Sequence, residues 1–328
     1  AYEIRLSLVG SEMCIRDIFK SYYPSSDGLH KIAYYVRFPI GTVRGVVQIS
    51  HGMCEYFRRY DDLAEFLTGL GFAVCGNDHL GHGDSVNDSS ELGYFSPEHG
   101  WENAVEDMYT LTKMMKHNYP DKPYFLLGHS MGSFLARAFV TKHGRNLTAA
   151  IFCGTSGGME GIPALLTLVD SLKILHGDKY RSNAVNKLAF GAYTRKITDK
   201  VSEYDWISRD PEIVSTYEKD PKCNFIFTLN GFENLAKLLW YVSNEKWFST
   251  YPKTLPTYLI AGSADPVGSY GKGVLSVFNR LSLNGCDVEM KIYENARHEL
   301  VNETNRREVY NDIADFLLDI ISSEMCSD

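Results

Sequence analysis

The strongest chemical signal in the chain is the sequence Gly-His-Ser-Met-Gly at residues 128–132. It follows an apolar run at 124–127 that predicts a strand, and it precedes a helix-forming run at 133–140. In such a sharp strand-to-helix turn the serine hydroxyl is exposed, and flanking glycines are needed because side chains there would collide with neighbouring backbone. The motif alone occurs often by chance, but in this context it predicts that Ser130 is a nucleophile.

A serine hydroxyl becomes nucleophilic only when a base removes its proton, and His298 is the best candidate for that base. A lone histidine is more often structural, but His298 lies between a strand predicted at 288–293 and the last predicted helix. Asp265 follows a strand predicted at 257–261, and its carboxylate could orient His298 and stabilise the imidazolium. In isolation Asp265 fits a simple Asp-Pro turn. The order Ser, Asp, His, each after a separate strand, is however that of the α/β-hydrolases.

Acyl transfer at a serine also needs two backbone amides that meet the oxyanion of the tetrahedral intermediate. Met131, directly after the nucleophile, supplies one of them. The second is expected from the loop after the strand predicted at 43–50, where Met53 is the candidate donor. His51 in the same loop is interpreted as a residue that orders the loop.

Short strand-like runs alternate with helical patterns from residue 29 onward, which is typical of a sheet covered by helices on both faces. An opening pair of strands is predicted at 29–39 and 43–50, with Gly41 as the turn between them. Further buried strands are predicted at 72–76, 124–127, 149–153, 257–261 and 288–293. The predicted fold class is therefore α/β, with a mostly parallel, doubly wound sheet.

The alternation stops at about residue 154, where glycines open a long stretch without strand signals. We therefore divide the chain into a first part of the core at 18–153, a helical cap insertion at 154–253 and a second part of the core at 254–321. Ser-Glu-Met-Cys occurs at both 11–14 and 323–326. Residues 1–17 are accordingly interpreted as a non-native or disordered extension, and 322–328 as a tail.

The composition limits the classes of partner. The net charge is −8 and the basic residues form no sustained run, which argues against nucleic acid. Seven cysteines without a CxxC pair or zinc-like spacing predict a reducing compartment and no metal site. No stretch approaches the roughly 20 apolar residues that cross a membrane, and the N-terminus lacks a basic-then-apolar leader. We expect a cytoplasmic protein that acts on a small molecule.

Taken together, the motifs resemble the monoacylglycerol lipase and bacterial lysophospholipase branch of the α/β-hydrolases, with its serine aminopeptidase S33-type domain. The resemblance covers about residues 29–320. The matching pieces are His51-Gly52-Met53-Cys54-Glu55 with Arg59-Tyr60, Asp78-His79-Leu80-Gly81-His82-Gly83-Asp84-Ser85, residues 128–132, Asp265-Pro266-Val267-Gly268 and His298-Glu299-Leu300-Val301-Asn302-Glu303.

The resemblance implies a serine hydrolase that cleaves monoacylglycerols or lysophospholipids through an acyl-enzyme intermediate, without a metal or organic cofactor. It also implies a cap that controls lipid access and could touch a membrane surface transiently. Many relatives have glycine where this chain has Cys54, which if exposed would make the enzyme sensitive to thiol reagents. Two alternatives remain: a peptidase or thioesterase on the same fold, and a non-catalytic ligand-binding homologue.

Overall fold

A single sheet organises the part of the chain that the computed structural model describes, residues 18–158 and 161–325. Its strands are β1 (Phe19–Pro24), β2 (Lys31–Arg37), β3 (Gly45–Ser50), β4 (Phe72–Asn77), β5 (Tyr124–His129), β6 (Ala149–Cys153), β7 (Thr257–Gly262) and β8 (Val288–Tyr293). They lie in the order β1-β2-β4-β3-β5-β6-β7-β8. From β4 to β8 every pairing is parallel, whereas β2 pairs antiparallel with both β1 and β4.

The predicted opening pair of strands at 29–39 and 43–50 is wrong as a pair, although both strands exist. β4 lies between β2 and β3, so the two predicted strands never share hydrogen bonds. Both edges of β3 are occupied, because β4 and β5 each pair with it in parallel. The antiparallel partner of β2 on its outer side is β1, a half-exposed edge strand that the sequence analysis did not predict.

Helices cover both faces of the sheet. On one face, α1 (Asp61–Gly69) and α10 (Arg306–Met325) pack their apolar side chains into one buried cluster with the strands. On the other face lie α2 (Gly100–Asn118), α3 (Met131–His143) and α9 (Lys272–Leu283). This arrangement confirms the predicted α/β class with a mostly parallel, doubly wound sheet. α10 continues through residues 322–325 of the predicted tail, whereas the extension at 1–17 and residues 326–328 lie outside the described residues.

Between β6 and β7 the chain leaves the sheet, and its described residues there form helices joined by turns and loops. The helices are α4 (Ile162–His176), α5 (Asn183–Phe190), α6 (Pro211–Lys219), α7 (Leu229–Ser243) and α8 (Glu245–Thr250). α7 packs against both α4 and the core helix α3, and its buried apolar residues join the same cluster as α2 and α3. In the ranges 18–158 and 161–325, no helix is both long and apolar enough to span a bilayer.

A buried carboxylate ties the edge hairpin to α2. Asp107 is fully buried and accepts hydrogen bonds from Ser25 Oγ at 2.8 Å and from the backbone N–H of Ser26 at 2.6 Å. The Tyr23 hydroxyl donates to the carbonyl of Asp107 at 2.8 Å. Burial outweighs these hydrogen bonds and raises the pKa of Asp107 to about 6.

We expect Asp107 to make stability depend on pH in a predictable direction. The pKa of Asp107 in the folded state, about 6, exceeds its ordinary value of 3.8, so the folded state holds the proton more tightly than the unfolded state. The stability that this proton binding contributes is lost as the pH rises through 6. Asp107→Asn removes this titration. Measured by chemical unfolding, its free energy of unfolding relative to wild type should rise by about 2 kcal/mol between pH 4 and pH 7. A difference that stays constant with pH would contradict the assignment.

Candidate active site

The proposed nucleophile lies in a strained turn between β5 and α3. Ser130 has φ 53° and ψ −121°, a region that residues with a side chain rarely occupy. Its backbone N–H donates to the carbonyl of Cys153 at 3.0 Å, which fixes the turn against the end of β6. A side chain at Gly132 would place its Cβ 2.1 Å from the carbonyl of Ser50, so the glycine allows β3 to approach α3 closely. The turn has the backbone form that the sequence motif predicted.

The structure brings the predicted base and acid together. His298 Nδ1 lies 2.9 Å from Asp265 Oδ2, and both side chains are buried. The other carboxylate oxygen of Asp265 accepts from the backbone N–H of Val267 at 2.8 Å, which fixes the orientation of the carboxylate. With its Nδ1 proton directed at Asp265, the neutral imidazole presents Nε2 as an acceptor. That Nε2 is buried and has no hydrogen-bond partner anywhere in the described residues.

The loop carrying His298 lies against the nucleophile turn. His129, next to Ser130 in the chain, has its ring centroid 4.7 Å from that of His298 and its Nε2 3.3 Å from the His298 carbonyl. A side chain at Gly154 would come within 3.1 Å of His298 Cε1. Ser130 Oγ does not complete a hydrogen bond to Nε2 in this conformation. Hydrogen bonds between a nucleophile and its base are often long or misaligned before substrate binds.

The loop after β3 approaches the nucleophile from the other side. A Cβ on Gly52 would lie 3.0 Å from Ser130 Cβ, so the segment containing Met53 passes next to the serine. Met131 is the first residue of α3, and the first N–H groups of a helix have no acceptor within the helix. The structure therefore places both predicted oxyanion donors on segments that adjoin Ser130. His51 orders the loop, because its Nε2 accepts from the backbone N–H of His79 at 2.9 Å.

A buried network of charged groups, for whose members no role was predicted from the sequence, supports these segments. Glu55 accepts hydrogen bonds from the Gly52 N–H, from the Tyr60 hydroxyl at 2.8 Å and from His129 Nδ1 at 3.1 Å. Burial alone would raise the pKa of Glu55, but His129 and Arg59 lower it below its usual range. Glu55 in turn raises the pKa of His129 despite its burial. These residues all lie in the sequence motifs quoted above, but only their proximity in the folded structure shows that they form a network.

The helical insertion also supports the loop that carries His298. The backbone N–H of His298 donates to the Trp206 carbonyl at 3.3 Å, and that of Glu299 donates to the Ile207 carbonyl at 2.7 Å. The Trp206 ring lies 5.2 Å from the imidazole of His298, measured between centroids. Arg297 donates to the carbonyl of Asp205 at 2.7 Å. No sequence pattern pointed to residues 205–207, because their contribution is made largely through the backbone.

Cys54 is buried, so the condition for sensitivity to thiol reagents is not met. Burial raises the pKa of its thiol well above the ordinary value, and the neighbouring Cys223 adds to this effect. The reactive species toward such reagents is the thiolate, which this environment suppresses.

Comparison with known proteins places this site in a family. Residues 41–305 match the family described as "Serine aminopeptidase, S33". The monoglyceride lipase of Homo sapiens is 31% identical over 285 residues, which cover 85% of this chain and 83% of that protein. A monoglyceride lipase homolog of Monkeypox virus is 29% identical over 268 residues, covering 81% of this chain and 86% of that protein.

A solved structure agrees with these sequence matches. A highly thermostable carboxyl esterase from Bacillus coagulans, in complex with glycerol, superposes with a TM-score of 0.87 at 34% identity. The match covers 93% of this chain and 99% of that one. The chain belongs to the serine aminopeptidase S33 family of α/β-hydrolases and is a carboxylic ester hydrolase.

Proposed function

We propose that the chain hydrolyses the ester bond of single-chain lipids, of the monoacylglycerol or lysophospholipid type, with Ser130, His298 and Asp265 as its catalytic triad. The observation that carries the proposal is the buried, unpartnered Nε2 of His298. Leaving a buried nitrogen acceptor without a hydrogen bond costs free energy. The other ring nitrogen, Nδ1, lies 2.9 Å from Asp265 Oδ2, so the imidazole is held in place. An atom of this kind, on a side chain that packs against His129, the residue next to the strained Ser130, is suited to accept the serine proton during reaction.

In the proposed mechanism, Ser130 Oγ attacks the carbonyl carbon of the ester while its proton passes to His298 Nε2. The negative charge on the carbonyl oxygen is met by the backbone N–H groups of Met53 and Met131. The C–O bond to the alcohol then breaks, and the alcohol leaves with the proton from His298. Water, deprotonated by His298, then attacks the carbonyl carbon of the acyl-serine ester. The bond from that carbon to Ser130 Oγ breaks, His298 returns the proton to Oγ, and the carboxylic acid is released. Neither half-reaction consumes a metal ion or an organic cofactor.

Two observations support a lipid substrate. The relatives described above are named as a monoglyceride lipase and a monoglyceride lipase homolog, and the helical insertion exposes three aliphatic side chains on a single helix. Ile174 is 86% exposed and Leu175 73% exposed, both near the end of α4, and Leu168 is 40% exposed one to two turns earlier. We propose that residues 154–253 act as a cap and that this α4 surface, Leu168, Ile174 and Leu175, touches lipid transiently.

The peptidase alternative is favoured by one observation, the description of the matched family as a serine aminopeptidase. An aminopeptidase needs a carboxylate free to bind the substrate's amino group. Around the proposed triad the buried carboxylates are already engaged, Glu55 with His129 and Arg59, Glu299 with Arg59, and Asp265 with His298. The ester substrate is therefore the better-supported proposal. A non-catalytic homologue would typically have lost a triad member, and here all three positions are filled.

Replacing Ser130 tests the proposed nucleophile. We expect wild-type protein to gain one fluorophosphonate adduct by intact mass, and Ser130→Ala to gain none while its ester turnover falls by at least about 10³-fold. Ser249→Ala, which changes an exposed serine on α8, is the matched control and should behave as wild type. Full labelling of the Ser130→Ala variant would rule out Ser130 as the nucleophile.

A substrate panel tests the proposed specificity. Monoacylglycerols, a lysophosphatidylcholine, short aryl esters and amino-acid amides are compared by kcat/KM under the same conditions. We expect the monoacylglycerols and lysophospholipid to exceed the amides by at least about 100-fold, since Glu55, Glu299 and Asp265, the buried carboxylates described around the proposed triad, are already engaged. Turnover of aryl esters without any glycerolipid would remove the lipid assignment, and faster turnover of the amides would establish the peptidase.

Removing the exposed aliphatic side chains tests the proposed role of the α4 surface. In the triple variant Leu168→Ser, Ile174→Ser and Leu175→Ser, hydrolysis of monoacylglycerol in vesicles should fall by about 10-fold or more, because each aliphatic side chain that enters lipid contributes roughly 1.5 to 3 kcal/mol. Turnover of a soluble aryl ester should stay unchanged. Leu283→Ser, which removes a leucine of α9 that is as exposed as Ile174, serves as the control. Equal losses on both substrates would exclude a surface role.

A further inference from the structure

Cys54 adopts a backbone conformation that favours glycine, one residue after the proposed oxyanion donor Met53. Its φ is 54°, in the left-handed region where the Cβ of an L-residue crowds the following carbonyl. A side chain that occupies such a conformation persists only when its surroundings hold it.

The contact that holds Cys54 comes from the helical insertion. Its Sγ donates a hydrogen bond to the carbonyl of Phe225 at 3.2 Å. Two residues along the loop, the Tyr56 hydroxyl donates to Asp220 Oδ2 at 2.7 Å. Residues 220–225 form a tight turn, because the N–H of Cys223 donates to the Asp220 carbonyl at 2.9 Å and that of Phe225 to the Cys223 carbonyl at 3.0 Å. The loop after β3 is therefore bound at two points to an internally hydrogen-bonded turn of the insertion.

The thiol is suited to this role because it keeps its proton. Cys54 is buried, and burial raises the pKa of its thiol well above the ordinary value. It therefore remains a donor throughout the neutral range. Thiol donors are weak, so what Cys54 contributes is mainly a fixed position for the loop.

Met53 lies between two fixed points. On its N-terminal side, the N–H of Gly52 donates to the buried carboxylate of Glu55, and on its C-terminal side Cys54 is bound to the Phe225 carbonyl. We propose that Cys54 is a positioning residue that couples the turn at 220–225 to the oxyanion loop and so fixes the amide of Met53 for the transition state. This inference rests on the proposed function, because it assumes that the Met53 amide meets an oxyanion.

Three substitutions at Cys54 separate catalytic positioning from stability. Cys54→Ser keeps a donor, Cys54→Ala removes the donor and keeps the backbone crowding, and Cys54→Gly removes both. We expect kcat for a soluble aryl ester to fall by about 10-fold in the alanine and glycine variants with KM within about 2-fold, less than the loss of an entire oxyanion donor. The serine variant should stay within about 3-fold of wild type. Cys286→Ala, at a half-buried cysteine away from the site, is the control.

Two of these variants should differ in melting temperature but not in activity. Glycine relieves the crowding, so Cys54→Gly should unfold at a higher temperature than Cys54→Ala while remaining equally slow. If activity instead returns together with stability, or if the serine variant is as slow as the alanine variant, the positioning role is overturned. Wild-type kcat in the alanine variant overturns it as well.

A spectroscopic readout keeps the inference separate from the proposed function. The infrared difference between wild type and Cys54→Ala should contain an S–H stretch shifted to low frequency by the carbonyl of Phe225. An S–H stretch at the free-thiol frequency overturns the coupling whether or not the protein turns over esters. Absence of any ester turnover or fluorophosphonate labelling in wild type, with the shifted stretch present, is instead a failure of the proposed function.

Discussion

The hydrogen bond between His298 Nδ1 and Asp265 Oδ2, 2.9 Å long and closed to water, is the interaction on which the proposed chemistry depends. In a low-dielectric site a carboxylate and an imidazole hold each other strongly, and neither has water as an alternative partner. The bond selects one tautomer of the imidazole and leaves Nε2 as its free acceptor. It can form because β7 and β8 are parallel neighbours, so the residues that follow them emerge at the same edge of the sheet.

That arrangement is held by the helical insertion as much as by the core. The backbone carbonyls of Trp206 and Ile207 accept from His298 and Glu299, and Arg297 binds the carbonyl of Asp205. On the opposite side, the turn at 220–225 binds the loop after β3 through Cys54 and Tyr56. The insertion therefore contacts both loops that flank Ser130. A movement of the insertion would be transmitted to the proposed base, His298, and to the loop that carries Met53 together.

Backbone strain and buried charge are concentrated around Ser130, where the two flanking loops meet. Ser130 and Cys54 both occupy positive φ, and Gly52 and Gly132 allow approaches that no side chain would permit. Beneath them, Arg59 lies between Glu55 and Glu299, and Glu55 also binds His129. Buried ion pairs of this kind add little net stability compared with apolar packing. We interpret this network as a device that fixes the relative position of the loops.

The local order of the chain was readable from the sequence. Strand and helix periodicity depend on neighbouring residues, so seven of the eight strands were predicted within a few residues, and the turn at Ser130 followed from glycine spacing. The edge strand β1 was missed because it is half exposed and carries little periodic signal, and α9 was missed as well. The pairing of β2 was predicted wrongly, since a strand's partner depends on which edges remain free in the assembled sheet.

For the site, the sequence determined which residue types follow which strands, and with them the candidates Ser130, Asp265 and His298. Only the tertiary structure decided that His298 binds Asp265, that its Nε2 is left without a partner, and that Cys54 contacts the Phe225 carbonyl. The physical reason is distance along the chain. Contacts between residues 33 or 171 positions apart depend on how helices and strands pack, and a backbone carbonyl that accepts a bond has no signature in the side chains.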